Sequence, residues 1–557
     1  MKIDHIIRLI LLGFSLLGYI RFAGKWIRPE FSVGFIFSAI PACLFFSGIL
    51  NLMPEAAVLI FIGGLVCFVL CLKDHSSLKN LFNPGFIFLI AGGFGLAVLL
   101  YGSRFVDQDN FDHWATVVQV LIRKQRLPNY LDTYLPHKTY PTGAACWIYF
   151  WMFITGIRSE YFQMFSQSFL ILAMTISFFP LAKNLFAELI AAVVCVMLIC
   201  GNQALTSLQV DNILSMAALS AICFSVYYKN DLKNNYKWLS AWLIFIPAVK
   251  NSGILFDIFV LLMVMPRIRI RRTAALASAA GLTVLLWQKH ADLVFTDASK
   301  SKHAMSLINY RTVLGEKTKE DIFLISRKVL DREFSLNNHF IYLLILAVLL
   351  VIIFTLVRSK KSLSACKLCV YSVLCYCIHE AGLLAVYLVS MPLREAIILS
   401  HFNRYQRTAV VFSAGVLLLA VLNLLEEKRI SLPIRWIAGV ICCLILSAGI
   451  HPYSQYLHRQ NSSALKTRSY YDQLIADSHI PEGSRILVFT DDGEDVHNIF
   501  DAYTRYYFAP SRVNHKTPES NPSMDNYDYI FVLTDSKKAK AYVTENAPSE
   551  NLIVLMR

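Results

Sequence analysis

The chain has 557 residues, of which 56% are hydrophobic and only 16% charged. So large an apolar excess has no use in a soluble domain and suits a bilayer solvent. The net charge of +14 does not mark a nucleic-acid binder, because the basic residues fall in short loops between apolar runs, as the positive-inside bias requires.

About fourteen apolar runs approach the roughly 20 residues needed to cross a bilayer. Lipid satisfies no backbone polar group, so these runs are expected to be helices. The predicted fold is an α-helical polytopic membrane protein with juxtamembrane helices in its first large outer loop and a small C-terminal α/β domain. Residues 1–101 hold the N-terminal transmembrane helices. The first run lies between Arg8 and Arg21 and lacks a small-residue cleavage site, so it reads as a helix rather than a signal peptide. Residues 102–160 form an outer loop, with one juxtamembrane helix after Asp109 and another after Pro141. The second, 142–153, is apolar but short. It is expected to lie in the interface, with Trp147, Tyr149 and Trp151 at headgroup level.

Residues 161–450 form the main bundle. Its predicted spans are 161–182, 185–200, 212–227, 274–287, 340–356, 369–389, 409–425 and a last one ending near 450. A hairpin of 238–249 and 253–265 carries Lys250 at its outer tip, and Arg394, Arg404 and Arg407 fall in an outer loop. Three basic clusters read as cytoplasmic anchors: Arg267, Arg269, Arg271 and Arg272; Arg358, Lys360, Lys361 and Lys367; and Lys229, Lys233 and Lys237. This threading puts the N-terminus, the acidic loop and the tail on the outer side. All thirteen cysteines precede residue 451, and Cys366, Cys369, Cys375 and Cys377 read as packing residues rather than zinc ligands. Residues 451–557 alternate apolar runs at 485–489, 527–533 and 551–555 with helix-compatible stretches, the pattern of an α/β domain.

The stretch Val106-Asp107-Gln108-Asp109-Asn110-Phe111-Asp112-His113-Trp114 gathers three carboxylates and a histidine at a membrane surface. Such a group serves proton transfer, metal binding or a transport path. A base must lie within hydrogen-bond reach of its hydroxyl, and a phosphate leaving group needs cationic clamps. Lys250, Arg404 and Arg407 are the outer-side cations, with His137 and Lys138 in the same loop as the carboxylates. Each has a structural alternative. Asp109 and Asp211 suit helix caps, Lys250 suits snorkelling, and the two arginines suit anchoring of the next helix. Asp257, His379 and Glu380 lie inside apolar spans and read as satisfied polar groups facing the bundle. Lys300, Lys302 and His303 read as a solvated basic cluster.

The order of these features resembles the polytopic GT-C glycosyltransferases, the class of protein O-mannosyltransferases and the lipid A aminoarabinose transferase. It rests on Asp109-Asn110, the aromatic helix start 111–114, Lys124-Gln125-Arg126-Leu127-Pro128, Tyr140-Pro141-Thr142-Gly143, Asp211 and Lys250. The likeness covers roughly 101–265 and lies in motif order more than identity. It implies transfer of a sugar from a polyprenyl-phosphate donor to an envelope glycan, lipid or protein, with inversion, outside a bacterial cytoplasmic membrane. Asp109 would then be the general base, with Asp107, Asp112, His113, His137, Lys138, Asp211, Lys250, Arg404 and Arg407 about the substrates. The family's second acid is Asn110 here, which leaves a divalent metal open, and no other cofactor is expected. Two alternatives stand: a flippase of lipid-linked sugars using Asp257, His379 and Glu380, and a glycan polymerase or ligase using diphosphate-linked donors.

Overall fold

In the computed structural model the described residues are mainly helical, with one four-stranded sheet among them near the C-terminus. The structure describes all residues except 1, 75–80, 133–134, 136, 202–204, 296–306, 336–337, 451–464, 467, 470–471, 474–475, 477–479, 482, 490–498, 510, 517–522, 525, 533–536, 547–551 and 554–557. The basic cluster Lys300, Lys302 and His303 lies outside the described residues.

Among the described residues, eight helices are long and apolar enough to cross a membrane: Ile3–Ala23, Pro29–Ile49, Met53–Leu70, Glu160–Leu181, Phe340–Val357, Ser362–Val389, Phe402–Leu425 and Leu432–Ile450. Pro84–Leu100, Gly143–Thr155, Leu185–Ile199 and Asp211–Tyr227 are shorter apolar helices. The long ones divide by burial. Phe402–Leu425 is buried over almost its whole length and packs on Lys360–Val389, Asp211–Tyr227 and Leu432–Ile450. Met53–Leu70 turns Leu59 and Val69 outward, and Pro84–Leu100 turns out Ile90 and Phe94. A central post ringed by helices with bare apolar faces is the arrangement a hydrocarbon solvent stabilises.

The aromatic helix Gly143–Thr155 forms where expected, but its rings are not turned out to headgroups. Trp147, Tyr149 and Trp151 are buried, and Trp147 donates its indole N–H to the Ser166 carbonyl at 2.8 Å. The helix packs on Pro29–Ile49 and Ala115–Lys124, so protein encloses the rings.

Contacts gather the inter-helix connections into two sets. In one, Arg272 donates to the Lys233 carbonyl at 2.5 Å, joining two of the basic clusters. Lys183 approaches Glu426, and Arg429 donates to the carbonyls of Val357 and Arg358. In the other, the site of a Cβ on Gly156 lies against His5 and Arg8, which brings the N-terminus beside the Arg158–Glu160 connection.

Beyond the bundle, strands β1 (Arg485–Phe489), β2 (Arg512–Lys516), β3 (Tyr529–Val532) and β4 (Leu552–Ile553) form a parallel sheet in the order β2-β1-β3-β4. Parallel neighbours require crossovers, and helices Ile499–Phe508 and Lys537–Asn546 lie between the paired strands in sequence. Strand alternation sends Ile486 and Val488 to one face with Phe508 and Val513, and Leu487 to the other with Ile530 and Val543.

Candidate functional site

Asp109 immediately precedes a single π-helical turn, Asn110–Trp114, that runs on into helix Ala115–Lys124. Such widened turns re-aim side chains and concentrate at functional sites. The Asp109 backbone is itself helical and its side chain makes no capping bond, so a helix cap does not explain the residue. The turn is held from behind by Asn110, which is fully buried. Its amide donates to the Thr206 carbonyl at 3.2 Å and accepts from the Leu208 N–H at 2.8 Å. An amide serves both partners at once, which an ionised carboxylate cannot.

That clamp brings the acidic loop against the start of helix Asp211–Tyr227. One Asp109 oxygen accepts from the Arg404 guanidinium and from Gln209 Nε2, the latter at 2.7 Å. Lys250 Nζ donates to Asp211 Oδ1 at 2.7 Å, and Arg404 Nε stands 3.6 Å from the other Asp211 oxygen. Arg404 therefore bridges two carboxylates that are 102 positions apart in sequence. It does so from the first turn of Phe402–Leu425, where the sequence reading had an outer loop.

Lys250 is positioned by a break in the chain. Helix Ser240–Val249 ends there, the backbone is extended (φ −159°, ψ 145°), and Gly253–Val264 leads back. The turn is tight enough that a Cβ on Gly253 would fall 2.5 Å from the Ile246 carbonyl oxygen, and one on Gly143 2.6 Å from that of Ala248. With its side chain only 13% exposed, Lys250 points into the protein instead of snorkelling. The Tyr405 ring lies 5.0 Å from its ammonium.

The other expected residues divide between this cluster and its surroundings. Asp107 accepts the Asp109 backbone N–H at 3.1 Å, and burial, then the Asp109 charge, pushes its carboxyl above the ordinary value. His113 is buried among Trp114, His137 and Tyr140, and burial keeps the imidazole well below its usual range, so it is neutral at pH 7. His137 stacks on Tyr140, and half-buried Lys138 lies in the same turn. Asp112 turns away from the cluster to accept from Arg505 of the C-terminal domain at 3.0 Å and from Gln108 at 3.1 Å. Arg407 is half-buried, one turn beyond Arg404 and outside the cavity lining described next.

A cavity of about 420 Å³ opens beside the cluster. Its polar end is made by Tyr140, Asp211, Lys250 and Tyr405, and its walls by apolar residues such as Leu214, Phe256 and Leu383. Ala385 and Val386 line it and are exposed, so this wall is apolar and accessible. Among the described residues, no three His, Cys, Asp or Glu side chains converge as metal ligands.

Sequence reasoning missed Gln209, Tyr405 and Glu333, and read Tyr140 only as part of a motif. Glu333 ends the helix Lys319–Glu333, whose capping box at Thr318 and Asp321 was a legible start signal. Its carboxylate accepts from Tyr376 at 2.7 Å, Gln406 at 2.6 Å and Asn338 at 3.1 Å, beside the expected His379–Glu380 pair, itself at 2.9 Å. Asp257 departs from expectation. It is fully buried, and neither carboxyl oxygen has a hydrogen-bond partner among the described residues. Compared with known families, curated proteins and solved structures, the chain matches none significantly.

Proposed function

We propose that the chain is an inverting membrane glycosyltransferase that moves a sugar from a polyprenyl-phosphate donor to an acceptor hydroxyl of the cell envelope. One observation carries the reading. Asp109, Asp211, Lys250 and Arg404, from four separate segments, form one charged cluster, and Asp211 and Lys250 carry it to the polar end of a largely apolar cavity. An amphiphile with an anionic head and a hydrocarbon tail is complementary to that shape and charge.

The donor phosphate would sit against Lys250 and Arg404, with its chain along the wall that includes Ala385 and Val386. Asp211 holds both cations in place. The Asp109 side chain is 30% exposed and can meet a hydroxyl arriving from the loop side. Its carboxylate takes the acceptor proton as the hydroxyl oxygen attacks the anomeric carbon opposite the phosphate. The carbon–phosphate oxygen bond breaks and its electron pair leaves with the polyprenyl phosphate. Arg404, shared in the resting site, moves its interaction from Asp109 to the departing phosphate. Donor arrival thereby frees the base.

Pro84–Leu100, Leu185–Ile199, Asp211–Tyr227, the two arms of the Lys250 hairpin and Ile270–Val294 join the eight long helices in our reading of about fourteen crossings, with Gly143–Thr155 not crossing. The basic connections then face the cytoplasm, and the site and C-terminal domain face outward, as across a bacterial cytoplasmic membrane.

The test is transfer in proteoliposomes, with a radiolabelled polyprenyl-phosphate sugar and an envelope fraction as acceptor. Wild type should form acid-stable glycosidic product, and Asp109→Asn should lose about 10²–10⁴-fold in kcat. Undiminished transfer by folded Asp109→Asn removes the base. Transfer from diphosphate-linked donors alone would change the reading to a polymerase or ligase, and label crossing unmodified would change it to a flippase.

A further inference from the structure

A second cavity, of about 380 Å³, lies at the outer-loop surface where three parts of the chain meet. Arg104 comes from the connection after Pro84–Leu100, Arg123 from helix Ala115–Lys124, and Arg158 and Tyr161 from the start of Glu160–Thr175. Tyr507 closes it from helix Ile499–Phe508 of the C-terminal domain.

Its lining has three arginines against a single carboxylate, Glu160. That carboxylate is already engaged: it accepts from Arg468 at 2.6 Å, the Phe105 N–H at 2.7 Å and Tyr506 at 3.2 Å. Arg123 donates to the neutral Ala509 carbonyl, and Arg104 pairs with Asp472. Arg158 is exposed and has no partner among the described residues. The cavity is therefore electropositive, polar and edged by tyrosine rings. Arginine forks fit phosphate and carboxylate oxygens, and tyrosine offers an apolar face with a hydroxyl at its edge, which suits a sugar ring.

We infer that this cavity binds an anionic saccharide, one carrying phosphate or carboxylate groups. The position deepens the transferase reading, on which its description as an acceptor subsite rests. Gln119, in the lining, is ten positions beyond Asp109 along a continuous helical segment, roughly 15 Å at 1.5 Å per residue. A saccharide held here by its charged groups can extend a further part of its chain toward Asp109. The C-terminal domain then acts in acceptor recognition by supplying one wall.

The test measures binding with donor omitted, so its outcome is independent of transfer. Full-length protein in phosphatidylcholine nanodiscs is titrated with fluorescein-labelled maltotriose carrying a phosphate monoester, and with the same labelled trisaccharide unphosphorylated. The phosphorylated probe should bind at least about tenfold more tightly, and Arg158→Ala should remove most of that difference, with Arg158→Lys intermediate. Arg269→Ala, on the opposite set of connections, should bind as wild type and controls for general charge. A third arm places the phosphorylated trisaccharide on a dipalmitoyl anchor in the disc. Tighter binding there identifies a membrane-borne acceptor, and equal binding a free one; both support the site. Equal affinity for phosphorylated and neutral probes, or an Arg158→Ala protein that binds as wild type, overturns the inference.

Discussion

Replacing Lys250 by methionine keeps most of the stem and removes the charge, which isolates the electrostatic part of the cluster. Lys250 Nζ is 2.7 Å from Asp211, with side chains 13% and 5% exposed. At an effective dielectric near 20 the Coulomb attraction at that distance is roughly 6 kcal/mol before desolvation. Removing one partner of a buried pair typically costs about 3–5 kcal/mol, because the other charge is left stranded. Asp211 keeps a second cation, since Arg404 stands 3.6 Å away and retains about three-quarters of that attraction on the same scale. Lys250→Met should therefore destabilise the protein by about 2–3 kcal/mol. Asp211→Asn should cost about 1–2 kcal/mol less in that background than in the wild type, which is the coupling energy of the double-mutant cycle. The assay is denaturant unfolding in bicelles, followed by tryptophan fluorescence. Additive losses, or a Lys250→Met protein as stable as wild type, would refute the buried-pair reasoning.

Asn110→Asp should not restore a second catalytic acid. It turns a carboxylate oxygen toward the Thr206 carbonyl in a fully buried position, and should cost about 1–3 kcal/mol at neutral pH, partly regained on acidification. Increased transfer with unchanged stability would contradict this. Burial, then the Glu380 charge, raises the Glu333 carboxyl from 4.5 to about 7. The folded form thus favours the proton, so this contribution is full below the ordinary value and is lost as pH rises through about 7. Hydrogen exchange of Lys319–Glu333 should accelerate, beyond the intrinsic pH effect, from about pH 5 to about pH 8, and Glu333→Gln should flatten the response. Equal protection in the wild type at both ends would exclude the linkage.

Hydropathy made most of the helices legible, because a bilayer imposes one strong requirement on every span. Strand β1 (Arg485–Phe489) was read with its observed bounds, since Ile486, Leu487 and Val488 form a continuous apolar run. Strand β2 (Arg512–Lys516) was not, because Arg512, Asn514, His515 and Lys516 give an edge strand little apolar signal. Enclosure was equally hidden. The aromatic helix Gly143–Thr155 has the composition of an interfacial segment, and only its neighbours reveal that protein surrounds it. In the site, Asp109, Asp211 and Lys250 could be singled out as charges at the ends of apolar runs. Their meeting through Arg404 depends on long-range packing. Gln209 and Tyr405 carry no local signature at all, and Asp112 shares the acidic stretch yet serves the C-terminal domain.

If the exposed apolar wall at Ala385 and Val386 faces the hydrocarbon, a kinetic consequence follows. A hydrocarbon-tailed ligand that enters there comes from within the plane of the bilayer, without passing through water. Its supply is then set by mole fraction among the surrounding lipids. Adding inert lipid at constant total ligand would slow the protein, whereas diluting the whole suspension with buffer would not. Half-saturation would accordingly be expressed per unit of membrane area, and the headgroup cluster would meet its ligand only after the tail had already found its groove.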